Sequence, residues 1–125
     1  ILPTMLMKGT IMPVEPCPNA DALTDLLAES GRGPVVIFKH STRCPISGAA
    51  EREMSRFVAA HPDVPCRQVL VIEQRPLSLE IAAVTGVAHQ SPQVLVLRNG
   101  AVAWTASHYG VTCAEVEEAC AAAKG

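Results

Sequence analysis

Apolar positions along this chain change period from segment to segment, and the changes mark out its elements. Leu23, Leu26 and Leu27 recur at helical spacing behind Asp21, which predicts a helix from Ala22 to Ser30 with Asp21 as N-cap and Gly31 and Gly33 as its stop. Val35-Val36-Ile37-Phe38 is apolar at every position and mostly β-branched, the pattern of a strand covered on both faces in a parallel sheet. From Pro45 to Ala60 the period returns to that of a helix, with Ile46, Ala49, Ala50, Met54, Phe57 and Val58 on one side and Glu51, Arg52, Glu53 and Arg56 on the other. His61-Pro62-Asp63-Val64-Pro65 breaks it.

A second central strand is predicted over Cys66 to Ile72, a turn at Glu73-Gln74-Arg75, and a helix from Pro76 carrying Leu77, Leu79, Ile81, Ala82 and Val84 up to Gly86. Gln93 to Leu97 and Ala101 to Thr105 form a hairpin about Asn99-Gly100, a strong turn signal. Thr112 caps a last helix to Ala123, with Glu115 at capping-box spacing. Residues 1–20 read as an arm, trimmed or appended, that supplies at best a short edge strand around Thr10 to Val14, and residues 21–125 as one domain. The order of elements is a βαβ unit feeding a hairpin and a closing helix. This is an α/β, thioredoxin-like order, with a central four-stranded mixed sheet flanked by helices. Because βαβ crossovers are right-handed, the turn at Cys44 falls at the C-terminal end of the first parallel strand, where open α/β sheets place their sites.

Composition narrows the classes. A chain of 125 residues that is 49% hydrophobic and only 18% charged can bury a core as one domain, and with 3% aromatic residues that core is aliphatic. A net charge of -2 with scattered Arg and Lys gives no footprint for nucleic acid. No apolar run reaches membrane-spanning length and no signal-like segment opens the chain, so the cytoplasm is the expected location, with no membrane partner. The five cysteines, Cys17, Cys44, Cys66, Cys113 and Cys120, are odd in number and lack the short paired spacings of a zinc site, which favours a reducing compartment and no resident metal.

Cys44 stands where the strand pattern hands over to the helix pattern. Unpaired N–H groups in the first helical turn and the positive end of the helix dipole favour a thiolate there. The bland alternative is a small buried hydrophobe, and polar Ser41, Thr42 and Arg43 argue instead for an exposed turn. The position three residues on, where a dithiol oxidoreductase carries its second cysteine, is Ser47, either a hydrogen-bond partner of the sulfur or a helix-surface residue. Lys39 and Arg43 read either as cations that favour the thiolate and attract an anionic thiol, or as solvated loop charge. His40 is an acid or base near the sulfur, or a structural histidine.

Ser91-Pro92 directly precedes a strand, and in a thioredoxin-like fold the proline there is cis and faces the cysteine turn, offering the Ser91 backbone to an extended substrate. Thr42, Arg43, Pro45, Ser91 and Pro92 are therefore candidate substrate-binding residues beside Cys44 and Ser47. Trp104, His108 and Tyr109 are further candidates for that groove, with core packing the competing reading of Trp104. Cys66, Cys113 and Cys120 read as packing residues and Cys17 as part of the arm.

Four blocks in order carry a family resemblance: Phe38-Lys39-His40-Ser41-Thr42-Arg43-Cys44-Pro45-Ile46-Ser47, Arg75-Pro76-Leu77-Ser78, His89-Gln90-Ser91-Pro92-Gln93, and Ala103-Trp104-Thr105-Ala106-Ser107-His108 followed by Val111-Thr112. Together they resemble the monothiol bacilliredoxins, the YtxJ-like proteins of bacillithiol-producing bacteria, from about Asp21 to the C-terminus. The resemblance implies a thioredoxin-like oxidoreductase without a bound cofactor. Its cysteine, here Cys44, removes bacillithiol from bacillithiolated client proteins, and a low-molecular-weight thiol then regenerates it. Arg43 departs from the small polar residue usual there, and the additional cysteines are a second departure. They keep open a general thioredoxin-like reductase or peroxide-sensing thiol with a second, resolving cysteine. A non-enzymatic binding module or an iron-sulfur carrier is the remaining alternative.

Overall fold

The computed structural model describes residues 12–124. It has five strands, β1 (Glu15–Pro16), β2 (Val35–His40), β3 (Cys66–Leu70), β4 (Gln93–Arg98) and β5 (Ala101–Ser107), and four α-helices, α1 (Ala20–Glu29), α2 (Pro45–Ala60), α3 (Arg75–Thr85) and α4 (Cys113–Ala123), with a 3₁₀ turn at His108–Gly110. The sheet order is β1-β3-β2-β4-β5. β2 runs parallel to β3 and antiparallel to β4, and β4 to β5, so the sheet is mixed. Among the described residues no helix is long and apolar enough to cross a membrane.

All six residues of β2 are buried, because helices cover both faces of the sheet. On one face Val36, Phe38, Val94 and Val96 pack with Met54 and Phe57 of α2 and Val116 and Cys120 of α4. On the other, Val35, Ile37, Leu95 and Leu97 meet Leu23 and Leu26 of α1 and Leu77 and Ile81 of α3. Continuous apolarity in the sequence thus divides into two alternating sets, one per face.

Element boundaries show what local signals missed. α1 begins at Ala20, capped by Asn19, whose Oδ1 accepts from the Ala22 N–H at 2.9 Å. Asp21, the expected cap, lies in the first turn, where its charge complements the helix dipole. α3 begins at Arg75 rather than Pro76, and β3 stops at Leu70 because the chain turns there: Gln74 N–H bonds back to the Leu70 carbonyl. The edge strand lies at Glu15–Pro16, making a fifth strand; Met12 to Val14 are not strand, and Thr10 and Ile11 lie outside the described residues. Cys17, assigned to the arm, is wholly buried between the sheet and α1 and α3. At the hairpin, Asn99 (φ 55°) and Gly100 (φ 74°) both adopt the left-handed conformation a two-residue turn requires. Thr112 Oγ1 accepts from the Glu115 N–H, as the cap signal predicts.

Candidate active site

The site end of the sheet is fixed by two strand pairings. Lys39 of β2 is opposite Gln93 of β4, and His40 is opposite Leu70 of β3. The chain leaves β2 after His40 toward Cys44 and enters β4 from Pro92, so the cysteine turn and the proline loop share one end of the sheet. The Ser91–Pro92 peptide bond is cis. Cys44 is the N-cap of α2, with extended backbone (φ -113°, ψ 123°), a carbonyl that accepts from the Gly48 N–H, and no side-chain cap bond. Its thiol is free and partly exposed, flanked by exposed Thr42, Arg43 and Pro45. Pro45 suits the first helical position because that N–H has no partner within the helix.

Ser47 is neither exposed nor on the helix surface. It is fully buried, and its Oγ lies 2.6 Å from His40 Nδ1 while accepting from the Ser41 N–H at 2.9 Å. The reading of Ser47 as a helix-surface residue is thereby corrected: the side chain points back to the end of β2 and ties α2 to it. His40 is buried too, stacks on Phe38 with ring centroids 5.4 Å apart, and turns Nε2 toward Glu51 Oε2 at 3.5 Å. Burial pushes its imidazole below the ordinary range, while Glu51, Glu73 and the Ser47 bond act against that shift.

Lys39 is a larger departure from expectation. It is not loop charge: β2 runs two residues beyond Phe38, so Lys39 is a fully buried strand residue on the α1 and α3 face. Its Nζ lies 3.2 Å from His89 Nδ1, which is also 3.2 Å from Ser78 Oγ of α3. Burial holds the Lys39 ammonium down to about 8, and His89 is lowered by burial and by the nearby Lys39 and Arg75. His89 sits in the loop that carries Pro92, so this contact anchors the proline loop to β2. Two consecutive residues of one strand therefore hold the two halves of the site, His40 the cysteine turn and Lys39 the proline loop. Ser91 Oγ and Gln93 Oε1 are buried there without a partner among the described residues.

His108 N–H donates to the Pro92 carbonyl at 2.9 Å. With exposed Tyr109 it borders a groove of about 230 Å³ whose opposite wall is Ile46 and Ala49 of α2. Trp104 is elsewhere. It is opposite Val96 within the sheet and lines a separate depression against α4, which resolves it as a packing residue. His89, Ser78 and Glu51 received no role from the sequence. The available signal was Lys39 itself, a charge continuing a strand already apolar on both faces.

The other thiols are distant from Cys44. Cys66 is opposite Val36, four strand residues or about 13 Å below the His40 level. Cys113 is held through its N–H by Glu53, nine residues or about 13 Å along α2 from Cys44. Cys17 lies on the opposite face of the sheet from α2. Cys120 lies beside Cys66 in the same buried cluster, and because a disulfide needs Cα atoms within about 7 Å, the strand and helix spacings separate Cys44 from Cys66, Cys113 and Cys120. Burial raises Cys66 to about 12 and Cys120 to about 11; burial with Glu117 and Glu53 raises Cys113 to about 11. Among the described residues no three His, Cys, Asp or Glu side chains converge as a metal set.

A partly exposed thiol at a helix start, in a mixed sheet of this order and at the same sheet end as a cis-proline loop, defines a thioredoxin-fold thiol-disulfide oxidoreductase. Solved structures agree. A structure described as "a putative oxidoreductase with a thioredoxin fold" is 27% identical, with a TM-score of 0.75 over 91% of this chain and 96% of that one. Thioredoxins share the fold at lower identity: Nicotiana alata thioredoxin h at 18% (TM-score 0.71, 91% of this chain and 96% of that one) and Fasciola hepatica thioredoxin at 15% (TM-score 0.69, 90% and 100%). The sequence profile of the monothiol bacilliredoxin BrxC matches residues 16–116, and the chain belongs to that family.

Proposed function

We propose that the protein removes bacillithiol from mixed disulfides on client proteins, with Cys44 as sole nucleophile. The Cys44 thiolate attacks the bacillithiol sulfur of a client–S–S–bacillithiol adduct. A Cys44–bacillithiol disulfide forms, the client–bacillithiol bond breaks, and the client leaves as thiolate. A second low-molecular-weight thiol then attacks the bacillithiol sulfur and releases Cys44. Each step exchanges one disulfide for another with no net change in electron count, and the rate depends on the basicity of attacking and leaving thiols.

The observation that carries this reading is the isolation of Cys44. With every other cysteine buried or displaced by more than a disulfide's reach, the mixed disulfide has no internal resolving partner and waits for an external thiol. Bacillithiol is thus written as co-substrate, not as a resident cofactor. Exposed Thr42, Arg43 and Pro45 and the Ser91–Pro92 loop are the proposed substrate-contacting residues, and a reducing cytoplasm is the proposed setting.

Turnover with a bacillithiolated client tests the assignment. Bacillithiol is expected to support release better than glutathione, and intact mass is expected to show one bacillithiol adduct on the parent and none on Cys44→Ser. An adduct that persists on Cys44→Ser, or an internal disulfide after oxidation, would remove the proposal; the second outcome would favour a resolving-cysteine mechanism.

A further inference from the structure

Lys39 continues the face of β2 on which Val35 and Ile37 pack against α1 and α3, so an ammonium stands where the pattern calls for an aliphatic side chain. Its backbone is held from both sides, opposite Val69 of β3 and Gln93 of β4, and its side chain is wholly buried. An ammonium only donates, so the 3.2 Å contact with His89 Nδ1 requires a lone pair on that nitrogen. The His89 ring is therefore the tautomer with its proton on Nε2. Buried Ser78 Oγ of α3 turns to the same Nδ1, also at 3.2 Å. One ring nitrogen of the proline loop is thus gripped from the central strand and from a helix.

The loop itself is a closed unit. Gln93 Nε2 donates to the Ala88 carbonyl at 3.0 Å, joining the two ends of residues 88–93 around the cis Ser91–Pro92 bond. Ser91 Oγ and Gln93 Oε1 have no partner among the described residues. Hydrogen bonds tie the unit to the fold on either side of Ser91: the Pro92 carbonyl accepts from His108 N–H at 2.9 Å, and His89 meets Lys39 and Ser78. A polypeptide segment that lies along Ser91 must find the loop in one position. If the His89 tie is lost, the loop is in that position for a smaller fraction of the time, and apparent affinity falls by the same factor. A disulfide of small thiols has no peptide to lay along the loop and is spared this loss.

We propose that Lys39 is a positioning residue that acts through His89: it holds the Ser91–Pro92 loop ready for an extended client segment, and so makes the protein select disulfides on polypeptides over disulfides of small thiols. The cost of burying its charge at this end of the sheet is offset in client recognition.

The inference rests on the reading of the Ser91–Pro92 loop as substrate-contacting and not on the identity of the exchanged thiol. It is tested on the full chain with two substrates, a bacillithiolated client protein and the mixed disulfide of bacillithiol with free cysteine. Lys39→Met is expected to raise KM for the client about tenfold with kcat retained, the size of one charge-assisted hydrogen bond. The ratio of client to small-disulfide kcat/KM is expected to fall by the same factor. His89→Leu is expected to follow Lys39→Met, and His89→Asn, whose Oδ1 can replace Nδ1 as acceptor, to recover most of the loss. Equal losses on both substrates, or an unchanged ratio in Lys39→Met, would overturn the proposal. If the variants fail to fold, the parent decides by its His89 ring nitrogen shifts: an unprotonated Nδ1 is expected, and a proton on Nδ1 overturns the proposal. A parent that turns over neither bacillithiol substrate removes the bacillithiol assignment and not this one, and the same pair carrying glutathione then gives the ratio.

Discussion

The two ends of the central sheet treat cysteine in opposite ways. At one end Cys44 is half-exposed at the start of a helix, above a floor of buried polar side chains: Lys39, His40, Ser47, Ser78 and Gln93. At the other, Cys66 opens β3 in aliphatic surroundings, with Cys120 of α4 in the same apolar cluster. Burial raises Cys66 to about 12, so it packs as a small hydrophobe. One residue type is a reagent at one end and a filler at the other. What differs is a helix start, whose first-turn N–H groups have no partner within the helix, against an apolar cluster that removes the sulfur from water. The reactive end also carries a stability cost that the distal end does not, because it buries an ammonium whose side-chain partner among the described residues is His89, an imidazole held below its ordinary range.

The comparison breaks most visibly at the nucleophile. Cys44→Ser is expected to drop disulfide exchange to the uncatalysed background in a turnover assay, while Cys66→Ala keeps the parent rate. A Cys44→Ser protein that still turns over would mean that a buried thiol can reach substrate. Lys39→Met sharpens the stability contrast. In the folded protein Lys39 loses its proton at about 8 against an ordinary 10.5, so below about pH 8 the charge is buried at full cost, up to about 3 kcal/mol at 1.4 kcal/mol per pKa unit. Between about pH 8 and 10.5 Lys39 binds more proton in the unfolded chain than in the folded one, so its contribution to parent stability rises with pH. Denaturant unfolding is expected to show Lys39→Met more stable than the parent at pH 7, with the difference between the two closing across that window. A difference that stays constant from about pH 7 to 10.5 would mean that Lys39 is not buried as a charge. The smallest effect is at the distal end, where Cys66→Ala should cost about 1 kcal/mol through lost packing, with no pH dependence below about pH 8, where the unfolded thiol is still protonated.

Much of this arrangement was legible in the chain. The uninterrupted run Val35 to Phe38 specified a doubly covered strand, Pro45 to Ala60 a complete helix with Cys44 at its head, and Asn99-Gly100 the hairpin turn. Those signals are local, set by backbone conformation and the side-chain period. The edge strand was misplaced because a two-residue strand is defined by its partner, here Arg67 and Gln68 of β3, and not by its own composition. Asn19 and Asp21 are both good caps two residues apart, and only the chain's entry angle chose between them. The sequence leaves Lys39 open between a thiolate-favouring cation and loop charge, and His40 between an acid or base and a structural histidine, because burial of such groups depends on partners fifty and seven residues away.

By itself, then, the sequence determined which cysteine heads a helix, which elements surround it and to which family the chain belongs, because period, capping and motif are written in neighbouring residues. The tertiary structure alone decided that Ser47 faces inward to His40, that Lys39 reaches along the α1 and α3 face to the proline loop, and that the other thiols are placed away from Cys44. Those are relations between residues distant in sequence, fixed by strand register and by which face of the sheet each side chain enters.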